Sequence, residues 1–297
     1  MVTFADLKRT QGSLEKIQQE TQALQKKSFA KDERYWRLQT DKSGDGSAVI
    51  RFLPGPAKSV ERLWSYGFKH GNQWYIENSP STLGLPDPLM EMNSDLYNSG
   101  DEGLKKIAQS RKRKLSYIAN IYVVKHKARP EDEGKVFLFK FGQKINDKLD
   151  AKMTPKEEDQ APMNPFDMFT GANFRLRQKK VADFPNYDDS EFDYPAPLDK
   201  DESKMEAIFN KTYPVEAEVA PNQFKSYNEL KDRMEKVGII APSKSGVVEE
   251  RREVVHDTRR VDAEDSPFRS VPDDVVAATG STLADADSMD WFDQLGK

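Results

Sequence analysis

A mainly β core with peripheral helices, followed by a detachable acidic end, is the fold class this sequence predicts, and three observations predict it. Short β-branched and aromatic runs recur between turn signals. Helical spacing shows only near the two edges of that region, around Leu14 to Leu24 and Tyr227 to Val237. Beyond residue 241, Val, Ser, Asp and Pro mix without a sustained period, the composition of a disordered segment.

The elements follow in order. Residues 1–30 read as an arm. Leu14, Ile17, Thr21 and Leu24 form one narrow helical stripe, Ser13 is a plausible N-cap, and Lys8-Arg9-Thr10 lies just before it. Such an arm packs on its own core or docks on a neighbouring copy. Residues 31–240 read as the folded core. Gly44-Asp45-Gly46 is a turn into the strand from Ser47 to Leu53, which Pro54 ends. Gln73 to Glu77 is a second strand, Ser116 to Val124 a third, Lys135 to Phe141 a fourth and Asn173 to Val181 a fifth. Short strands separated by turns predict a barrel or sandwich. The stretch from Pro80 to Asn93, with three prolines, is expected to be irregular. Ser226-Tyr227-Asn228-Glu229 is a capping box, the apolar positions Tyr227, Leu230, Met234 and Val237 follow at helical spacing, and Gly238 is the stop. Residues 241–297 read as a disordered acidic tail.

Charge is distributed unevenly along the 297 residues. The net charge is −4, but residues 261–297 hold nine acids against Arg269 and Lys297, leaving the rest of the chain cationic. Residues 111–150 carry eleven Lys or Arg against five acids. A basic centre with an acidic end points to a polyanionic partner for the centre. The absence of cysteine excludes disulfides, thiolate zinc sites and a cysteine nucleophile. No leader pattern opens the chain, and no apolar run approaches the roughly 18 residues of a membrane span. The reading is a soluble intracellular protein that does not engage membranes.

The strongest local motif is Arg111-Lys112-Arg113-Lys114-Leu115-Ser116-Tyr117, four consecutive cations leading into a strand that carries Tyr117 and Tyr122. Cations attract phosphates by displacing condensed counterions, and aromatic rings offer bases a surface to stack on. A basic run alone is usually a solvated face; joined to aromatic strands it points to nucleic acid. Alternation also puts Arg175, Arg177 and Lys179 on one face of their strand and Phe174 and Leu176 on the other, which would leave the cationic face free for a partner. Phe137, Phe139 and Phe141 share one face of a strand whose other face holds Val136 and Leu138. Either one phenylalanine is exposed for stacking or the strand is buried on both sides. Phe184 and Tyr187 sit in an acidic loop.

Enzymatic signals are weak. His70, His126 and His256 are scattered, no glycine loop precedes Lys-Ser or Lys-Thr, and nothing in the carboxylate spacing favours a magnesium site. The chain reads as a non-enzyme. Near the end, Asp290, Trp291, Phe292, Asp293 and Leu295 place large apolar residues among acids, as a short linear docking motif does.

Taken together, these residues resemble the single-stranded DNA-binding (helix-destabilising) proteins of T-even bacteriophages. The matching blocks run in family order over residues 36–237. They include Gly46-Ser47-Ala48-Val49-Ile50-Arg51-Phe52-Leu53-Pro54, Trp74-Tyr75-Ile76-Glu77, Asp95-Leu96-Tyr97-Asn98, Lys112-Arg113-Lys114-Leu115-Ser116-Tyr117, Phe141-Gly142-Gln143-Lys144-Ile145 and Asn186-Tyr187-Asp188. Each block is weak alone and together they are specific. The resemblance implies an OB-fold core whose cleft holds single-stranded DNA. It also implies an arm for cooperative self-association along the DNA through Lys8, Arg9 and Thr10, and an acidic tail that recruits phage replication and recombination proteins. The implied setting is replication, recombination and repair in the cytoplasm of an infected bacterial host. The implied DNA contacts are Arg51, Trp74, Tyr75, Tyr97, Arg111, Lys112, Arg113, Lys114, Tyr117, Phe139, Lys144, Phe184 and Tyr187. Phe139 stands where the family has tyrosine, and Ile118 replaces a family tryptophan. An RNA-binding translational regulator and, further off, a magnesium-dependent nuclease are the competing readings.

The family also implies a structural zinc held by one histidine and three cysteines. Here Tyr66 stands at the histidine position and Ser79 at the first cysteine position, so without thiolates no such cofactor is expected. The expectation is that apolar packing by Leu85, Leu89, Met90 and Met92 takes its place.

Overall fold

The computed structural model describes residues 32–240 apart from 157–159 and 183. The arm residues Lys8, Arg9 and Thr10 and the tail motif around Trp291 lie outside the described residues.

The centre is β5 (Lys114–Lys125), a twelve-residue strand with three antiparallel partners. On one edge it pairs first with β3 (Val60–His70), Ser65 opposite Lys114 through Val60 opposite Ala119. It then pairs with β2 (Gly46–Leu53), Leu53 opposite Asn120 through Val49 opposite Lys125. The other edge takes β6 (Val136–Phe141). A strand that changes partner midway lets one sheet curl around a core. The register of β2 also shifts between Val49 and Ile50, the irregularity that bends a strand. β1 (Tyr35–Trp36) runs parallel to β6, β4 (Gln73–Asn78) closes a hairpin on β3, and β7 (Phe174–Val181) covers the far edge of β2. Two short strands, β8 (Phe184–Asn186) and β9 (Glu191–Phe192), fold back on β7. The fold is mainly β with helices at its periphery, as the sequence predicts.

Period-2 alternation decides what each face holds. Ala48, Ile50 and Phe52 of β2 turn to the interior, with Tyr117, Ala119, Ile121 and Val123 of β5, Phe139 and Phe141 of β6, and Phe174 and Leu176 of β7. Phe52 is the hub, with ring centroids 5.6 Å from Phe141, 5.8 Å from Phe166 and 5.7 Å from Phe174. Each such ring contributes about 1.5–3 kcal/mol by leaving water. The opposite face is not solvated. Leu63, Ile118 and Leu138 pack under Val215, and Leu53 and Val136 under Met205 and Met168. That second cover answers most of the question left by β6: Phe139 and Phe141 are buried, and Phe137 is half-buried against the same core.

The stretch from Pro80 to Asn93 is ordered, against expectation. Pro80–Leu83 is a 3-10 turn and α1 spans Pro88–Asn98. Pro80 and Pro88 occupy first-turn positions, where a missing N–H costs nothing, and Pro86 precedes the N-cap. The Asp87 side chain then accepts from Leu89 N at 3.0 Å and Met90 N at 3.1 Å and sets the helix start. α2 (Glu102–Ser110) packs on α1 and delivers the chain to β5, and α3 (Gln143–Met153) follows β6. α4 (Glu202–Phe209) and α5 (Tyr227–Val237) complete the periphery. α5 begins at the predicted capping box and stops at Gly238, whose φ of 79° only glycine adopts without strain.

Candidate nucleic-acid interface

The basic run 111–114 is the connection from α2 into β5, and the neighbouring elements fix it residue by residue. The Arg111 carbonyl accepts from Asn93 Nδ2 of α1 at 3.1 Å, and its Nη2 lies 3.3 Å from His70 Nδ1 at the end of β3. Lys112 is exposed. The Arg113 guanidinium sits 4.2 Å from the Trp64 ring centroid, and its Nη1 donates to Ser81 Oγ. Burial pulls the pKa of both arginines below the ordinary range, yet arginine stays cationic at any working pH. Lys114 opens β5 half-buried.

Three residues further on, Tyr117 stacks on Phe141 at 5.7 Å and donates through its hydroxyl to Gln143 Oε1 at 2.8 Å. Burial raises its pKa. Arg62 of β3 is directly opposite Tyr117 in register and exposed. Gln143 opens α3 beside Lys144, whose Nζ lies 3.4 Å from Asp188 Oδ1. Lys148 donates to the Asp188 carbonyl at 2.8 Å. Next to Asp188, Tyr187 donates to Gln178 Oε1 of β7 at 2.9 Å. A line of residues leads from Arg111 and Arg113 in the basic run, past Tyr117 near the start of β5 and its partner Gln143, to Lys144 and, across Asp188, to Tyr187, with cations and aromatic rings interspersed. Trp74, Tyr97 and Phe184 are half-buried rings around this line. Lys69, beside His70, is the register partner of Trp74, and Lys105 lies 5.3 Å over the Tyr97 ring.

Four expected contacts are placed otherwise: Tyr117 is 8% exposed, its ring in the core against Phe141, and the other three are Arg51, Tyr75 and Phe139. Arg51 is 1% exposed. It points to the outer face of β2, where its Nη2 donates to the carbonyls of Asp167 at 2.8 Å and Ala196 at 3.0 Å. Its charge ties the 167–168 and 196 segments to the sheet and offers nothing to a phosphate. Tyr75 is 0% exposed, stacked on Phe68 at 5.3 Å. Phe139 is 1% exposed, inside the core against Phe141 and Trp36. These three shape the scaffold and present no ring or charge at the surface. Conversely, sequence reading passed over Arg62 and Trp64. Their signal was there, since Arg62, Trp64 and Tyr66 alternate along Val60–His70, but the charges mixed into that run hid the strand.

The cationic face of β7 points outward as alternation predicts, but it is not free. Arg175 Nε lies 2.5 Å from Asp193 Oδ1, Arg177 Nη2 lies 3.6 Å from Glu191 Oε1, and Lys179 pairs with Asp189.

At the positions where the resemblance implies zinc, the residues present do not fit a metal. The buried Asp87 carboxylate accepts from the Tyr66 hydroxyl at 3.1 Å and from Ser79 Oγ, while capping α1 with its other oxygen. Burial and the adjoining Asp87 push the Tyr66 pKa well above the ordinary tyrosine range. These are neutral hydroxyls satisfied by one carboxylate, not a thiolate and imidazole set. Among the described residues no group of three His, Cys, Asp or Glu side chains is placed to hold an ion. The expected apolar packing is seen only on the helix. Leu89 is buried and Met92 packs beside it, whereas Leu85 is 53% exposed. Polar contacts to Asp87 share this junction with that apolar cluster.

Known proteins resemble this chain over most of its length. The family model described as gp32 DNA binding protein like matches residues 44–238. The chain is 35% identical over 281 residues to the single-stranded DNA-binding protein of Enterobacteria phage T2, covering 90% of this chain and 91% of that protein. The single-stranded DNA-binding protein of Enterobacteria phage T4 is 34% identical over the same length and shares. That of Enterobacteria phage RB70 is 40% identical over 97 residues, 30% of this chain and 78% of its own.

Proposed function

Since the chain belongs to the gp32-like family of T-even-type phage single-stranded DNA-binding proteins, we propose that it coats single-stranded DNA without reading sequence. In this reading the sheet is an OB-fold and the line from Arg111 to Tyr187 is its DNA cleft. The observation that carries it is the gathering of cations and half-buried rings along that line, since cations follow a phosphate backbone and rings stack bases of any identity. Arg111, Lys112, Arg113, Lys114, Lys144 and Arg62 take phosphates. Trp74, Tyr97, Phe184 and Tyr187 take bases, each stacked base contributing about 1–3 kcal/mol. Duplex is disfavoured because its bases are already stacked on each other.

The remaining parts extend the same reading. The arm, through Lys8, Arg9 and Thr10, joins one copy to the next along the strand. The tail, through Asp290, Trp291, Phe292, Asp293 and Leu295, docks replication and recombination proteins in the infected host cytoplasm and competes with DNA for the basic cleft. Intrinsic fluorescence tests the core claim. Trp64 and Trp74 should both report a titration with oligothymidylate, duplex should bind far more weakly, and affinity should fall steeply with salt at about −0.7 log units per phosphate contact. A salt slope near zero overturns the cationic cleft, and a preference for matched RNA turns the reading toward a translational regulator.

A further inference from the structure

The β7 cations are evenly spaced and evenly neutralised. Alternate residues of a strand lie about 6.6 Å apart on one face, so Arg175, Arg177 and Lys179 form a straight row of charges. Opposite it runs a row of carboxylates: Asp193 against Arg175, Glu191 against Arg177 and Asp189 against Lys179. Asp188 continues the row onto Lys144. One acid stands over each cation in sequence, as one phosphate would along a stretched strand.

The acidic segment is held by its backbone and its other side chains, not by these ion pairs. Ser190 is buried and bonds both ways to Arg177, accepting from its N–H at 2.9 Å and donating to its carbonyl at 3.0 Å. Phe192 pairs with Phe174 in register, and their rings lie 4.7 Å apart. The carboxylates themselves reach the cations at a solvent-exposed surface, where ion pairs are weak and screened by salt. They can release the cations while the segment stays in place.

We propose that Arg175, Arg177 and Lys179 are a covered second track for the backbone of single-stranded DNA, continuous with Lys144, and that Asp189, Glu191 and Asp193 are its internal phosphate mimic. The inference rests on the single-strand-binding reading. The cover lowers affinity for weakly held polyanions, and DNA already engaged at Lys144 displaces the carboxylates one at a time. Exchange of one anion for another also makes binding less salt-dependent than the number of contacted cations implies.

The test is a full-length variant with Asp189→Asn, Glu191→Gln and Asp193→Asn, compared with a charge-matched control carrying Glu202→Gln, Glu206→Gln and Asp232→Asn on the helices. Binding to labelled oligothymidylate is followed by anisotropy across salt, with thermal melts to confirm folding. The segment variant should bind at least tenfold tighter at low salt than the control, with a salt slope steeper by up to about 0.7 per uncovered cation. Adding Arg175→Gln, Arg177→Gln and Lys179→Gln to the segment variant should abolish the gain. If segment variant and control behave alike while the wild-type protein binds oligothymidylate, the covered track is wrong and the single-strand reading stands. If the wild-type protein fails to bind at all, it is that reading which falls.

Discussion

The Arg113 guanidinium lies over the Trp64 ring at 4.2 Å and donates to Ser81, while its neighbour Lys112 projects into solvent. Two adjacent cations of one basic run therefore do different work. Lys112→Ala should leave the melting temperature unchanged and reduce the salt slope of single-strand binding by about 0.7. Arg113→Ala should weaken binding and also cost about 1–2 kcal/mol of stability, because it removes a part-buried stack and leaves Ser81 without its donor. Arg113→Lys should recover little, since a lysine lacks the planar fork. Paired urea melts and salt-dependent anisotropy separate the two; equal stability losses at 112 and 113 would contradict the division.

Asp87 joins three functions in one side chain: it caps α1, accepts the Tyr66 hydroxyl and accepts Ser79. Asp87→Ala should lose the cap and strand two buried hydroxyls, destabilising by about 2–4 kcal/mol. Tyr66→Phe removes one donor and leaves a still-bonded carboxylate, so its cost should be near 1 kcal/mol. Added zinc or a chelator should not move the melting temperature of the wild-type protein. A zinc-dependent melt would mean that metal, not this hydrogen-bonded cluster, holds the β3–α1 junction.

How legible this was depends on the range of the interactions involved. β2, β4, β5, β6, β7 and α5 follow from alternation, turns and a capping box, all of which are local. α1 was obscured by Pro80, Pro86 and Pro88, because proline reads as a breaker unless its N1 position is known, and Asp87 as N-cap fixes that position. β3 was obscured by Glu61, Arg62 and Ser65, which break the apolar pattern of a strand that is only half-buried along most of its length. The burial of Arg51 was not legible at all: its partners are 116 to 145 residues away. The same holds for β7, whose outward cations follow from period 2 while the carboxylates over them depend on how residues 188–193 fold back.

His126 is fully buried, 5.3 Å from the Trp36 ring, with Nδ1 3.5 Å from Asp132 and no hydrogen-bond partner for either nitrogen. Burial lowers its pKa below the ordinary 6.5, although Asp132 pulls the other way. Between those two pKa values the unfolded chain binds the proton and the folded one does not, so stability falls as pH drops below about 6.5, at no more than about 1.4 kcal/mol per unit from this group. His126→Phe keeps a ring against Trp36 and should flatten the urea-midpoint curve below about pH 6.5. An unchanged acid slope would assign it to other groups.

Lys140 sits on the outer face of β6, in alternation with the buried Val136 and Leu138, and lines a cavity of about 470 Å³ with Tyr66, Glu77 and Phe224. The nearby carboxylate is already engaged, since Glu77 pairs with Lys225 at 2.5 Å and with Arg233 at 3.5 Å. Burial, reinforced by Arg37, pulls the Lys140 ammonium down to about 8 from 10.5. The unfolded chain therefore holds the proton more tightly. Relative to the unfolded state, the folded state gains stability as pH rises from about 8 toward 10.5, and below about 8 the full penalty for the buried charge persists. Lys140→Met keeps the stem and deletes the charge, so it should stabilise the protein by about 1–3 kcal/mol at neutral pH. That advantage should shrink above about pH 8 and vanish near the unfolded lysine value. Urea midpoints at neutral and alkaline pH measure it directly; a variant no more stable than wild type at neutral pH would mean that the ammonium is solvated through the cavity.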